Sequence, residues 1–187
     1  TEARATEEIY GTRVSTAGTV LDPSGIPIST AANDQDEPTV VFGGANYFVA
    51  WSDWRSGTSR DIYGARVTTT GVVLDPTGIP ISTATGSQRR PAVTFGGANY
   101  FVVWDDYRSG IDRDIYGARV STAGTVLDPT GIPISTATDW QWYPQVVFGG
   151  TNYFIVWTDE RNWGTIGADI YGARVSTAGT VLYPYGI

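Results

Sequence analysis

An internal repeat constrains this chain more than any other feature. Pro38, Pro91 and Pro144 are 53 residues apart, and so are Trp51, Trp104 and Trp157. Ile-Tyr-Gly triplets begin at Ile9, Ile62, Ile115 and Ile170, with steps of 53, 53 and 55. The stretches Ile62–Thr85 and Ile115–Thr138 differ at only three of 24 positions. One unit is therefore written about three and a half times. A unit of this size cannot bury its apolar face alone and must stack on its neighbours.

Each unit reads as four short strands. The first follows the proline (Val40-Val41-Phe42 and its copies), and a Gly-Gly-Ala-Asn turn leads to Tyr47-Phe48-Val49-Ala50-Trp51. That second strand is apolar at every position, so both of its faces should be buried. The third strand is Ile62-Tyr63-Gly64-Ala65-Arg66-Val67, and a Ser-Thr-Ala-Gly type of turn leads to a fourth around Thr19-Val20-Leu21 and its copies. The Ile-Pro-Ile-Ser-Thr stretch that follows reads as an extended connector, because proline is a poor central-strand residue. Helical periodicity is absent and β-branched and aromatic residues abound. The expected fold class is all-β, built of β-propeller-type blades, each a four-stranded antiparallel meander. A β-solenoid is the rival. The expected organisation is a partial repeat over 1–37, then repeats over 38–90, 91–143 and 144–187, all one propeller-type domain or part of one.

A family resemblance rests on the third strand and the turn before it. The runs Ser52-Asp53-Trp54-Arg55-Ser56-Gly57 and Trp104-Asp105-Asp106-Tyr107-Arg108-Ser109-Gly110, the latter followed by Asp114-Ile115-Tyr116-Gly117, resemble a TolB-type propeller repeat. The full unit is similar to repeats in large bacterial secreted or surface proteins. The resemblance implies a propeller and a secreted or cell-surface location, and it says little of function. The third copy departs from it with a two-residue insertion around Arg161-Asn162-Trp163-Gly164.

Composition narrows the chemistry. The chain has no His, Cys, Lys or Met, and its net charge is −7. Without His and Cys there is no ordinary zinc, haem or iron–sulfur site, no Ser-His-Asp triad and no cysteine nucleophile. No cofactor is expected. The acidic balance disfavours nucleic acid as a partner, and no apolar run is long enough for membrane insertion by a helix. Lack of Met is expected of a chain processed or cut from something longer, and Thr1–Glu8 shows no signal-peptide pattern.

The copies differ from one another mainly in two windows. One precedes the proline: Asn33-Asp34-Gln35-Asp36-Glu37, Gly86-Ser87-Gln88-Arg89-Arg90, and Asp139-Trp140-Gln141-Trp142-Tyr143. The other joins strands two and three: 54–60, 107–113 and 160–168. In a meander both windows lie at one edge of the sheet and the constant turns at the other. The expected ligand face is therefore Asp34, Gln35, Asp36, Trp54, Gln88, Arg89, Arg90, Tyr107, Trp140, Gln141, Trp142, Tyr143 and Trp163. For Arg89 and Arg90 the plain alternative is a salt bridge to Asp34, Asp36 or Glu37. Asp53, Asp106 and Asp159, like Asp61, Asp114 and Asp169, recur in register. Recurrence favours structural work, such as accepting loop amide hydrogens or pairing with Arg66, Arg119 and Arg174, over a catalytic centre built once. Asp106, Asp112 and Asp114 form a weak calcium candidate.

The expected function is a non-enzymatic binding or structural module with a glycan or protein ligand. The alternatives are a carboxylate-only glycan hydrolase and a self-assembling building block. A hydrolase requires one non-repeated acidic pair in a cleft. Because three blades do not easily close a ring, self-association is expected as well.

Overall fold

The computed structural model describes residues 6–165, 167–184 and 186–187. The first five residues of the expected partial repeat lie outside the described residues, as do position 166 in the third variable loop and position 185. The described residues form β-strands joined by turns, with no helix among them. β1 (Ile9–Gly11) and β2 (Ile26–Ser29) make a two-stranded half-blade. The first blade is β3 (Gln35–Gly43), β4 (Asn46–Asp53), β5 (Asp61–Thr68) and β6 (Ile79–Ser82), paired in that order. The second repeats it with β7 (Gln88–Gly96), β8 (Asn99–Asp106), β9 (Asp114–Ser121) and β10 (Ile132–Ser135). The third has β11 (Gln141–Phe148), β12 (Asn152–Asp159) and β13 (Asp169–Ser176). All pairings are antiparallel.

The fourth strand is not where the sequence places it. It is the Ile-Pro-Ile-Ser segment, whereas Val20, Val73, Val126 and Val181 make only isolated bridges to Val14, Val67, Val120 and Val175. The physical reason is position. An outermost strand needs hydrogen bonds on one side only, so Pro80 can sit opposite Tyr63 beside a bulge without losing a bond the sheet requires.

Burial follows the layers. β8 is buried from Tyr100 to Asp106, as a strand between two packed neighbours must be. Trp51, Trp104 and Trp157 are 0–1% exposed and fill the core, as their apolar strand implies. The blades meet through one joint used twice. Phe95 sits against Gly43, and Phe148 against Gly96, so closely that neither glycine has room for a Cβ. Tyr100 and Tyr153 stack on Phe48 and Phe101 at 4.6 and 4.4 Å. Their hydroxyls donate to the carbonyls of Gly43 and Gly96 at 2.7 and 2.6 Å.

Recurrent acids serve this framework. Asp53 accepts from the Trp51 indole N–H, the Arg55 backbone N–H and the Arg55 guanidinium. Asp106 and Asp159 repeat the clamp with Trp104 and Arg108 and with Trp157 and Arg161. The expected pairing of Arg66 and Arg119 with the recurrent acids of the Asp53 and Asp61 series is corrected. Arg66 pairs with Asp75 at 2.8 Å and Arg119 with Asp128 at 2.8 Å, each pin closing the turn after its own third strand. In the third copy Tyr183 replaces that aspartate, and Arg174 lies over its ring and donates to its hydroxyl.

Candidate functional site at the inner strand mouth

The first strands of the blades, β3, β7 and β11, pack against one another in turn and form the inner wall. Each begins with a bulge before its proline. There Glu37, Arg90 and Tyr143 adopt φ values of 55°, 53° and 54°. Left-handed backbone at a non-glycine residue costs about 1–3 kcal/mol and persists only where the surroundings enforce it. The same strain on three unrelated side chains belongs to the framework, and it brings the variable residues of neighbouring blades together.

These residues touch in sequence around the wall. The backbone N–H of Arg90 donates to Glu37 Oε2 at 2.9 Å, and the Arg90 guanidinium lies 4.5 Å from the Tyr143 ring centroid. Glu37 also accepts from Ser52 Oγ at 2.7 Å and from Arg89 Nη2 at 3.2 Å. Asp36 pairs with Arg60. Asp105 is fully buried between Arg90, at 3.1 Å, and Arg113.

The electrostatics separate the two neighbouring acids. Burial pushes the Asp36 carboxyl above its ordinary value, and the nearby Glu37 charge adds to this while Arg60 opposes it. Burial also acts on Glu37, but the Ser52 hydroxyl, the Arg90 N–H and the guanidinium groups of Arg89 and Arg90 outweigh it. Glu37 is held below the ordinary range. Asp105 is raised by burial against the pull of Arg113 and Arg90. Asp36 Oδ1 is buried with no hydrogen-bond partner among the described residues. Burial thus raises one carboxyl while hydrogen bonds and guanidinium charges lower its neighbour, so the two adjacent acids are shifted in opposite directions.

Beside this pair runs a row of aromatic rings. Tyr107 to Trp140, Trp140 to Trp142 and Trp142 to Tyr143 have centroids 6.0, 5.3 and 6.0 Å apart. Arg113 lies near the Tyr107 and Trp140 rings, and Arg90 near those of Trp142 and Tyr143. Trp54 is half-covered by Arg60, 5.0 Å from its ring, and Asp34 accepts the Trp54 N–H through its carbonyl. Trp163, 63% exposed, stands on the loop between β12 and β13, outside this row.

Several expectations need correction. Gln35, Gln88 and Gln141 are not ligand-facing. They are buried, and each amide donates to carbonyls of the loop before it, Gln35 to those of Ala31, Ala32 and Asn33. A loop that reverses so tightly needs an internal donor, which is why the glutamine never varies while its neighbours do. The calcium candidate also fails. Asp106 is occupied by Trp104 and Arg108, Asp112 accepts from Ser109, and the described residues contain no cluster of three acids able to hold a metal ion. The plain salt-bridge reading of Arg89 and Arg90 is met at Glu37, whereas Ser52, Arg60 and Arg113 were not expected at the site. A signal existed for Asp105, since positions 52, 105 and 158 read Ser, Asp and Thr beside an invariant aspartate.

No protein-family model matches the chain, and a search of curated proteins finds no relative. Solved structures do match. An α-L-arabinofuranosidase from Lactobacillus brevis superposes with a TM-score of 0.60 at 13% identity, over 96% of this chain and 67% of that one. An exo-1,5-α-L-arabinanase from a bovine ruminal metagenomic library gives 0.52 at 12%, over 89% and 63%. A Cellvibrio cellulosa α-L-arabinanase complexed with arabinohexaose gives 0.53 at 10%, over 93% and 67%. This chain spans about two thirds of their length or less. The expectation of a non-enzymatic module is overturned here. Its fold neighbours are glycoside hydrolases by name, and Asp36-Glu37 is an adjacent pair of acids that the other repeats lack at those positions. The fold itself is a repeat-built, all-β propeller.

Proposed function

We propose that this chain carries the carboxylate site of a glycan-hydrolysing propeller. The observation that carries the reading is the Asp36–Glu37 pair. It occurs in one repeat only, lies at the inner mouth, and has its two acids shifted in opposite directions. Asp36, protonated on the Oδ1 that has no partner among the described residues while Oδ2 stays on Arg60, donates to the leaving glycosidic oxygen. Glu37, ionised, accepts a proton from the attacking water or stabilises the positive charge developing on the sugar ring. Both are roles that carboxylates fill in glycoside hydrolysis. The row from Tyr107 to Tyr143 offers apolar ring faces to the C–H faces of neutral sugars. Arabinose-containing glycans are the first substrates to try, because the propeller neighbours act on them by name.

A polymeric glycan substrate suits a secreted or cell-surface protein, and that location belongs to the same proposal. So does the TolB-type character of the repeat, supported by its Ser-Asp-Trp-Arg-Ser-Gly turn and Asp-Ile-Tyr strand.

The test is release of reducing ends from arabinan, arabinoxylan and aryl α-L-arabinofuranosides by the purified chain, its Glu37→Gln variant and its Asp36→Asn variant. Release by the wild type that is lost in Glu37→Gln supports the reading. A folded wild type that releases nothing, or release that survives both substitutions, overturns it.

A further inference from the structure

Asp61 is an acid that the fold does not use. It stands opposite Asp53 at the start of β5, and the two have opposite surroundings. Asp53 accepts from Trp51 and Arg55. Asp61 is 7% exposed, yet no described residue donates a hydrogen bond to its carboxyl, and Arg55 reaches it only through its charge. A buried polar group without a partner is costly, and in a native structure it asks for a reason.

Asp61 lines a cleft of about 550 Å³ between the β4–β5 loop and the connector from β6 to β7. That size falls in the ~300–1,000 Å³ range of small-molecule sites. Serines and threonines of both segments make up most of the lining, and Tyr107 of the second blade adds a ring. The hydroxyls of Ser59, Thr83 and Thr85 make no hydrogen bond among the described residues. The next blade does not repeat this lining. Ile111, Asp112, Trp140 and Glu160 stand where the cleft has Thr58, Ser59, Ser87 and Tyr107. Gly86 replaces the Asn33 and Asp139 of the other copies. A Cβ there would come within 2.4 Å of the Tyr107 carbonyl oxygen, so the glycine lets the Tyr107 turn close down on the connector.

The lining selects a class of ligand. It holds no basic side chain, which disfavours an anion, and one carboxyl, too few for a metal ion. Hydroxyls that donate and accept, a carboxylate that takes two donors at once and an aromatic face together suit a sugar, with its neighbouring hydroxyls and its C–H face. We propose that this cleft binds one unit of a neutral glycan, the Asp61 carboxylate accepting from two adjacent sugar hydroxyls and Tyr107 meeting the C–H face. Tyr107 is also the first ring of the row at the mouth, so one glycan chain reaches both places. As a subsite for the same glycan the cleft rests on the hydrolase reading, but its binding is measured without turnover.

Amide NMR spectra of the full chain carrying Glu37→Gln, titrated with arabinohexaose, test this. Shifts are expected at residues 56–59 and 83–87. Adding Asp61→Ala should weaken the affinity read at those amides about 10-fold or more, as for a lost hydrogen bond to a charged group, and Thr85→Val about 3-fold. Asp114→Ala removes an equally buried acid from the next blade and should leave that affinity unchanged. Amides that do not shift, shifts given by calcium chloride and not by the sugar, or equal losses in Asp61→Ala and Asp114→Ala overturn the proposal. Reducing-end release by the wild type without these shifts removes the cleft and leaves the catalytic reading standing. Shifts without release keep the cleft and remove the catalytic reading.

Discussion

The backbone N–H of Arg90 and the carboxylate of Glu37 are 2.9 Å apart across two blades, at the same register position of adjacent inner strands. The contact needs no particular side chain at position 90, because the main chain donates. It fixes Glu37 in its ionised form, together with Ser52 and Arg89. Removing the charge should therefore abolish chemistry without loosening the fold. Glu37→Gln and Asp36→Asn are each expected to lower turnover roughly 10²–10⁴-fold, the usual range for an acid–base group, with thermal midpoints close to wild type. Steady-state kinetics and differential scanning calorimetry on the same preparations check both halves of this statement.

The pH profile should be bell-shaped and lie on the acid side of neutrality. In the proposed roles, activity needs Glu37 ionised and Asp36 protonated. The acid limb therefore follows Glu37, held below its ordinary 4.5, and the alkaline limb follows Asp36, raised above 3.8. Asp36→Asn should erase the alkaline limb in whatever activity remains. A limb that stays put in the variant assigns it to another group.

The ring row should govern binding more than turnover. Replacing Trp140 or Trp142 by Ala is expected to raise KM about 2- to 10-fold on polymeric substrate, from the ~0.5–1.5 kcal/mol an aromatic contact supplies. kcat should change little, and short aryl glycosides should be less affected than chains. Equal losses on both substrate lengths would remove the row from substrate contact.

Two acids outside the site should make stability depend on pH. Burial, reinforced by Asp53, raises Asp61 to about 6, and burial with Asp112 and Asp106 raises Asp114 to about 6. The folded state therefore holds these protons more tightly than the unfolded chain does. Their contribution is complete below the ordinary value of 3.8 and is lost as pH rises through about 6. The thermal midpoint should climb as pH falls from 7 to 5. Asp61→Asn with Asp114→Asn should flatten that climb and stabilise the protein at pH 7, by about 1–2 kcal/mol per site.

The Trp–Asp–Arg clamp should be the most sensitive point of each blade. Asp106→Ala leaves the Arg108 guanidinium and the Trp104 N–H without their buried acceptor. The loss expected is about 3–5 kcal/mol, as for one partner removed from a buried ion pair. Urea denaturation of this variant against Asp112→Ala, which touches only its own loop, measures the difference.

Much of the fold was legible in the sequence because a repeat states its own packing. The period, the fully apolar second strand and the tryptophan at its end lead directly to stacked meanders. The Ile-Pro-Ile-Ser strand was hidden because proline speaks against a strand interior, and only the assembled sheet shows that this strand has a free side. The site was less legible for a related reason. Position 37 carries Glu, position 90 Arg and position 143 Tyr, all with positive φ before a proline. No common residue type marks such a bend, and only opposite charge pointed to the meeting of Arg89 and Arg90 with Glu37. The invariant glutamines drew attention by their constancy, yet that constancy came from holding a loop closed. The acids that differ between copies, Asp36, Glu37 and Asp105, are the ones brought together at the mouth.

The strained step before each proline has a consequence for how such a protein changes. The bend has nearly the same φ in every copy, so it accepts an acid, a base or an aromatic ring with equal geometry. Each copy is then an interchangeable holder, and new chemistry can be written into one of them while the others keep the structure standing. Placing Asp-Glu at 89–90 with Ser at 105, or at 142–143 with Ser at 158, moves the acid pair one or two steps around the wall, leaving the rest of the molecule as the untouched frame.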